Sequence, residues 1–143
     1  MEILYPMFGM IFVTAIVMML LYISRIQALS NRSKNPNKLP NEVARHSDEI
    51  RKYMTPRNRF ITENYNHLFE QPIVFYAISF CIWGLNLTNN FFIFCAWSYF
   101  VIRVIHSIFQ STLNLVWIRF GLFILSWLVL AAMIIKLSID VFF

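Results

Sequence analysis

Long uncharged runs and one polar segment divide the chain. No residue between Ile3 and Ser24 is charged, and as a helix that run extends about 33 Å, enough to cross a hydrocarbon core of about 30 Å. Residues 25 to 70 hold most of the polarity. Within them Asn31, Arg32, Ser33, Lys34, Asn35, Pro36, Asn37, Lys38, Leu39 and Pro40 are turn formers and prolines that predict a surface loop. Thr55 followed by Pro56 is a helix-start signal, because a hydroxyl caps free N–H groups and proline suits the first helical position. The second helix is expected to run to about Leu85. At about 45 Å its first turns would project from the membrane, and Pro72 must kink it or sit where neighbours satisfy the freed carbonyl. After a turn at Gly84, Asn86, Thr88, Asn89 and Asn90, two further apolar runs, Phe91 to Phe109 and Leu113 to Val141, predict helices joined by a brief link around Ser111 and Thr112.

The pattern predicts an all-α integral membrane protein, a four-transmembrane-helix bundle. Its spans are about 3–24, 68–86, 91–110 and 113–141, in a single domain 1–143 with a polar loop over about 25–56. Composition agrees. Of the 143 residues 59% are hydrophobic, and only 13% are charged, against about 25% in soluble domains. The mean hydropathy is +0.60. A cleaved leader would need a basic start and a small-residue cleavage site; Glu2 and the approach to Arg25 supply neither, so the first run reads as a retained span.

The net charge of +5 is concentrated, since nine of the 12 basic residues lie between Arg25 and Arg59. That is a membrane-facing loop, which needs no nucleic-acid partner. The excess of positive charge places this loop, and the link between the last two helices, in the cytoplasm, with the N- and C-termini on the other side. Cys81 and Cys95 sit in apolar runs without metal-like spacing and read as packing residues.

A charge within hydrocarbon costs at least about 2.5 to 3.5 kcal/mol, so Glu70, Arg103 and Arg119 each ask for a reason. With Arg25 they all fall toward the cytoplasmic leaflet. Tyr99, Arg103, His106 and Gln110 form one helical stripe, and Glu63, Asn66, His67 and Glu70 form another. The plain alternative is that Glu70 and Arg103 only pair, and that arginines near helix ends snorkel to phosphates. One such pair would leave an arginine over. His67 and His106 lack the further ligands a metal needs, so no metal site is expected. Lys136 and Asp140, four apart, read as an interfacial pair. Two arginines and a carboxylate suit a small zwitterion with more carboxylates than amines, a charge layout that glutathione has. A membrane-level arginine would also hold its thiol as the reactive thiolate against an apolar electrophile.

Asn66-His-Leu-Phe-Glu70-Gln-Pro72-Ile-Val-Phe-Tyr76, then Arg103-Val-Ile-His106-Ser107, then Asn114 and Arg119, resembles the MAPEG family, membrane-associated proteins in eicosanoid and glutathione metabolism. The likeness covers essentially the whole chain and is closest to a bacterial-type branch. It implies a four-helix subunit, a homotrimer, and glutathione bound as co-substrate between neighbouring subunits near the cytoplasmic side. By position it implies that Glu70 holds glutathione, that Arg103 and His106 are the third-helix pair, and that Arg119 activates the thiol. Arg25 corresponds to an arginine ending the first helix.

There are departures. Asn66-His67 stands where the enzymes have Arg-Asn, and Gln110 and Phe123 stand where they place tyrosines. The loop reads Asn35-Pro36-Asn37-Lys38 where related enzymes carry acidic residues. The expected function is therefore a glutathione-dependent transferase or peroxidase acting on a hydrophobic electrophile. In that reading Arg119 is catalytic, and Arg25, Asn66, His67, Glu70, Arg103, His106 and Gln110 bind substrate. The alternative is a non-catalytic, lipid-binding membrane protein of the same family. A small multidrug-type transporter would need an acid within the first span, which has none. Branch resemblance implies a bacterial inner membrane, with the endoplasmic reticulum as the alternative.

Overall fold

The computed structural model describes residues 1–33 and 54–143, and among them all regular structure is helical: α1 Leu4–Ser33, α2 Pro56–His67, α3 Gln71–Gly84, α4 Asn90–Ser111 and α5 Val116–Phe142. The starts of α2 and α4 have a local cause. Thr55 accepts from the Asn58 N–H with Pro56 in the first turn, and Asn89 accepts from the Phe92 N–H at 3.2 Å, so free amides at both helix starts find side-chain oxygens.

Two expectations change. The first helix does not stop at Ser24 but continues to Ser33, through Asn31 and Arg32, which were expected to open the loop. Nothing between Ile26 and Ser33 breaks a helix, and Arg, Gln, Ala and Leu there all favour one. The remainder of the expected loop, with Asn35-Pro36-Asn37-Lys38 and Pro40, lies outside the described residues.

The second change is that one long helix from Thr55 to Leu85 is two, separated by Leu68, Phe69 and Glu70. Pro72 cannot donate to the Leu68 carbonyl, and its ring would meet it. The chain therefore tightens into short-range turns, Phe69 N–H to Asn66 O at 3.0 Å and Glu70 N–H to His67 O at 3.5 Å, and restarts with Pro72 in the first turn of α3.

The far end of α3 closes as a Schellman motif: Asn86 takes φ 57°, while the Leu87 N–H reaches Ile82 O at 3.0 Å and the Asn86 N–H reaches Trp83 O at 3.1 Å. Asn114 likewise takes φ 48° in the link between α4 and α5. Asparagine tolerates this left-handed region better than most residues.

The helices pack α1 on α2, α3 and α4, α4 on α5, α2 on α4 and α3 on α5. Met10, Phe75, Phe92, Tyr99, Leu130 and Met133 are in the buried core, where the Phe75 and Tyr99 rings stack at 4.3 Å. Gly9 lets α1 approach α4, since a Cβ there would fall 2.8 Å from Phe100 Cε2.

Among the described residues three helices are long and apolar enough to cross a membrane: Leu4–Gln27 within α1, Asn90–Ser111 and Val116–Phe142. Few of their residues are buried inside the protein, and Phe8, Phe12, Phe94, Trp117 and Leu128 are exposed. So much outward apolar surface identifies an integral membrane protein whose solvent is lipid.

Candidate functional site

The break between α2 and α3 organises the polar layer. It leaves the last carbonyl of α2 with only a long contact from the chain, Glu70 N–H at 3.5 Å, and Arg103 Nη2 donates to that His67 carbonyl at 2.9 Å. Arg103 is fully buried. A cation at the carbonyl end of a helix also meets the favourable end of its dipole, so Arg103 braces the break and fixes the height of His67.

On the other side of His67 a cavity of about 220 Å³ is lined by His67, His106, Val116, Arg119, Phe120 and Phe123. Ring centroids of His67 and His106 are 6.4 Å apart, and each lies 6.5 Å from Phe123. Arg119 is steered from two directions. Its Nη1 donates to Asn114 Oδ1 at 2.8 Å, using the side chain that the left-handed backbone of Asn114 presents, and lies 3.9 Å from Glu63 Oε2. His67 Nδ1 is 2.8 Å from Glu70 Oε2, on a side where Glu70 is largely exposed. One wall of the cavity is thus cationic and hydrogen-bonding, the other aromatic.

The stripe expected on the third helix exists on α4: Tyr99, Arg103, His106 and Gln110 are all buried. Several of its polar atoms have no protein partner among the described residues, namely Tyr99 Oη, Arg103 Nε, His106 Nδ1 and both amide atoms of Gln110. Buried polar groups are normally satisfied, so this layer keeps hydrogen-bonding capacity in reserve.

Of the site residues expected from sequence, His67, His106 and Arg119 meet at the cavity, Arg103 supports it from behind, and Gln110 lies one turn along α4 from His106. Glu70 touches it only through His67. Asn66 is exposed at the end of α2, and Arg25 is half-buried on α1, outside the lining.

Two contributors escaped the sequence reading. Asn64 is fully buried and donates through Nδ2 to Ser107 Oγ at 2.6 Å and Ser111 Oγ at 2.8 Å, fastening α2 to α4. The signal was the spacing of Asn58, Ile61, Asn64 and Leu68, the face of α2 that is actually buried. Gln71, with its NH2 turned toward Ser126 Oγ at 2.8 Å and its oxygen accepting from Trp127 Nε1 at 3.2 Å, fastens α3 to α5. Among the described residues no cluster of His, Cys, Asp and Glu is arranged to hold a metal.

No curated protein and no solved structure matches the chain. A model of the MAPEG family does, over residues 3–139. With that match running from the start of α1 almost to the end of α5, the chain belongs to the MAPEG family.

Proposed function

We propose that the chain is a membrane-bound, glutathione-dependent transferase or peroxidase acting on a hydrophobic electrophile. The observation that carries this reading is Arg119 on the wall of a cavity that two imidazoles and two phenyl rings complete. A guanidinium there lowers the cost of a thiolate, the nucleophilic form of a thiol, while Phe120 and Phe123 offer a surface to an apolar substrate arriving from lipid. The residues suit glutathione as a partner. Arg119 supplies a charged fork, and the unpartnered His106 Nδ1 and Gln110 amide supply polar contacts nearby.

The single chain supplies only part of a glutathione site. Glu70, the group for an ammonium, is 59% exposed, and Arg25 and Asn66 do not line the cavity. This favours a ligand shared between copies in a homotrimer, where exposed groups of one subunit meet the cavity of the next. In the same reading α3 is a fourth, short span, the basic segment faces the cytoplasm and both termini lie opposite. A bacterial inner membrane is the favoured setting.

The test is an ultraviolet difference titration with glutathione at neutral pH, on wild type and Arg119→Ala. A saturable thiolate signal in wild type, reduced at least tenfold in the variant, is the expected result. Absence of the signal in wild type would overturn it. The second reading, a non-catalytic lipid-binding protein, draws on Phe123 standing where the family's enzymes have a tyrosine; it expects bound lipid with no thiolate in either protein.

A further inference from the structure

A second concavity, of about 350 Å³, lies between α1, α2 and α4, and none of its lining residues lines the His67–Arg119 cavity. Val13, Val17 and Leu20 of α1, Ile61 of α2 and Ile108 of α4 make its apolar walls. Ile16, Leu20 and Ile108 are exposed along its edge, so it opens sideways toward lipid.

Its polar lining is confined to Arg57, Ser107, Ser111 and Thr112. Six hydroxyls on or capping the described helices, those of Thr14, Ser24, Thr62, Thr112, Ser126 and Ser138, donate to a carbonyl three or four residues earlier. Ser107 and Ser111 form no such bond. Both accept from Asn64 Nδ2, which leaves each O–H hydrogen to donate elsewhere. Arg57 is exposed and has no hydrogen-bond or ion-pair partner among the described residues. One guanidinium and two unspent hydroxyl hydrogens at an apolar groove are complementary to an anion carrying a hydrocarbon chain.

Depth decides which anion. Asn58, next to Arg57, donates to the Ser24 carbonyl at 3.3 Å, near the end of the apolar stretch Leu4–Gln27. Val13 lies about 16 Å further in along α1. The charged end is therefore at headgroup level and the apolar end within hydrocarbon, the disposition of a phospholipid in its own leaflet.

We propose that this groove binds one anionic phospholipid, its phosphate received by Arg57 and the Ser107 and Ser111 hydroxyls and one acyl chain lying against Val13, Val17 and Ile61. The test uses the full chain in detergent without glutathione, so its outcome is independent of the Arg119 reading. Phosphatidylglycerol is titrated and retention per chain is read by native mass spectrometry. The expected result is one retained lipid per chain, held severalfold more tightly than phosphatidylcholine of the same chains. Retention should weaken about tenfold in Arg57→Ala, as for loss of a charged hydrogen bond, and stay unchanged in Arg59→Ala, whose Nε donates to Met54 O at 3.3 Å. Ile16→Trp, which fills the groove from its exposed edge, should also lower retention.

Equal losses in Arg57→Ala and Arg59→Ala would overturn the site in favour of diffuse basic attraction. Equal binding of phosphatidylcholine would remove its anionic character, equal binding of oleate would make it a carboxylate site, and equal competition by inorganic phosphate would remove the acyl chain. If Ile16→Trp alters the mass of the assembly and leaves lipid retention untouched, a second copy of the chain fills the groove and the proposal fails.

Discussion

Arg103 illustrates how one residue can carry two readings with separable consequences. A buried guanidinium in a membrane helix looks like a ligand for an anion, yet its Nη2 already donates to the His67 carbonyl. Arg103→Met keeps much of the volume and removes the guanidinium donor, leaving the part-buried His67 carbonyl with only the long 3.5 Å contact from the Glu70 N–H. The expected cost is about 1–3 kcal/mol, read as a lower thermal midpoint in detergent by tryptophan fluorescence, with Arg103→Lys recovering part of it. If stability is unchanged and only glutathione binding is lost, Arg103 is a ligand and the brace is unimportant. Arg119 is the contrasting case. Its contacts to Asn114 and Glu63 are at the partly exposed wall of a cavity, and such ion pairs contribute at most about 1 kcal/mol. Arg119→Ala should therefore leave the unfolding midpoint near that of wild type while removing the thiolate signal.

Among the helices the informative features are a close approach and a break. Gly9 faces Phe100, whose ring occupies the position a methyl group would need. Gly9→Ala should destabilise the protein by about 1 kcal/mol, overpacking against the Phe100 ring outweighing the helix propensity that alanine gains over glycine. Adding Phe100→Leu should return a large part of that, because residues in contact do not add independently; additive losses in a double-mutant cycle would show that α1 and α4 do not meet there. The break between α2 and α3 was half legible. Pro72 announced that the helix could not pass straight through, but only the folded arrangement supplies the guanidinium that completes the His67 carbonyl. Asn64 was overlooked for a similar reason. On paper it stands beside the more conspicuous Glu63, and its importance depends on α4 bringing Ser107 and Ser111 against it.

For the molecule as a whole, the large exposed apolar surface of α1, α4 and α5 must be covered by lipid or by other copies. The proposed trimer predicts a protein mass three times that of the chain in detergent, by light scattering corrected for bound detergent; a monomer would remove the shared-ligand reading. Orientation is testable separately. With Cys81 and Cys95 replaced by serine, a cysteine at Asn89 should react with an impermeant maleimide from outside intact cells, and one at Thr112 only after the membrane is opened. The reverse pattern would invert the proposed topology.

Helical class, membrane residence, most helix starts and the buried polar stripe on α4 were determined by the sequence alone. These follow from one-dimensional properties, namely the length of an apolar run against the bilayer, the spacing of polar residues along a helix, and short capping motifs such as Thr55-Pro56 and Asn89. Which polar residues share a cavity was decided by tertiary structure. His67, His106 and Arg119 meet because α2 ends where Pro72 forces it to and α4 and α5 pack beside that end. Glu70, Asn66 and Arg25, equally charged or polar in the sequence, are turned elsewhere by the same packing. Hydrophobic periodicity specifies which face of a helix is buried, but it carries no information about which neighbour covers it. That choice belongs to the three-dimensional arrangement of helices, and with it the composition of the site.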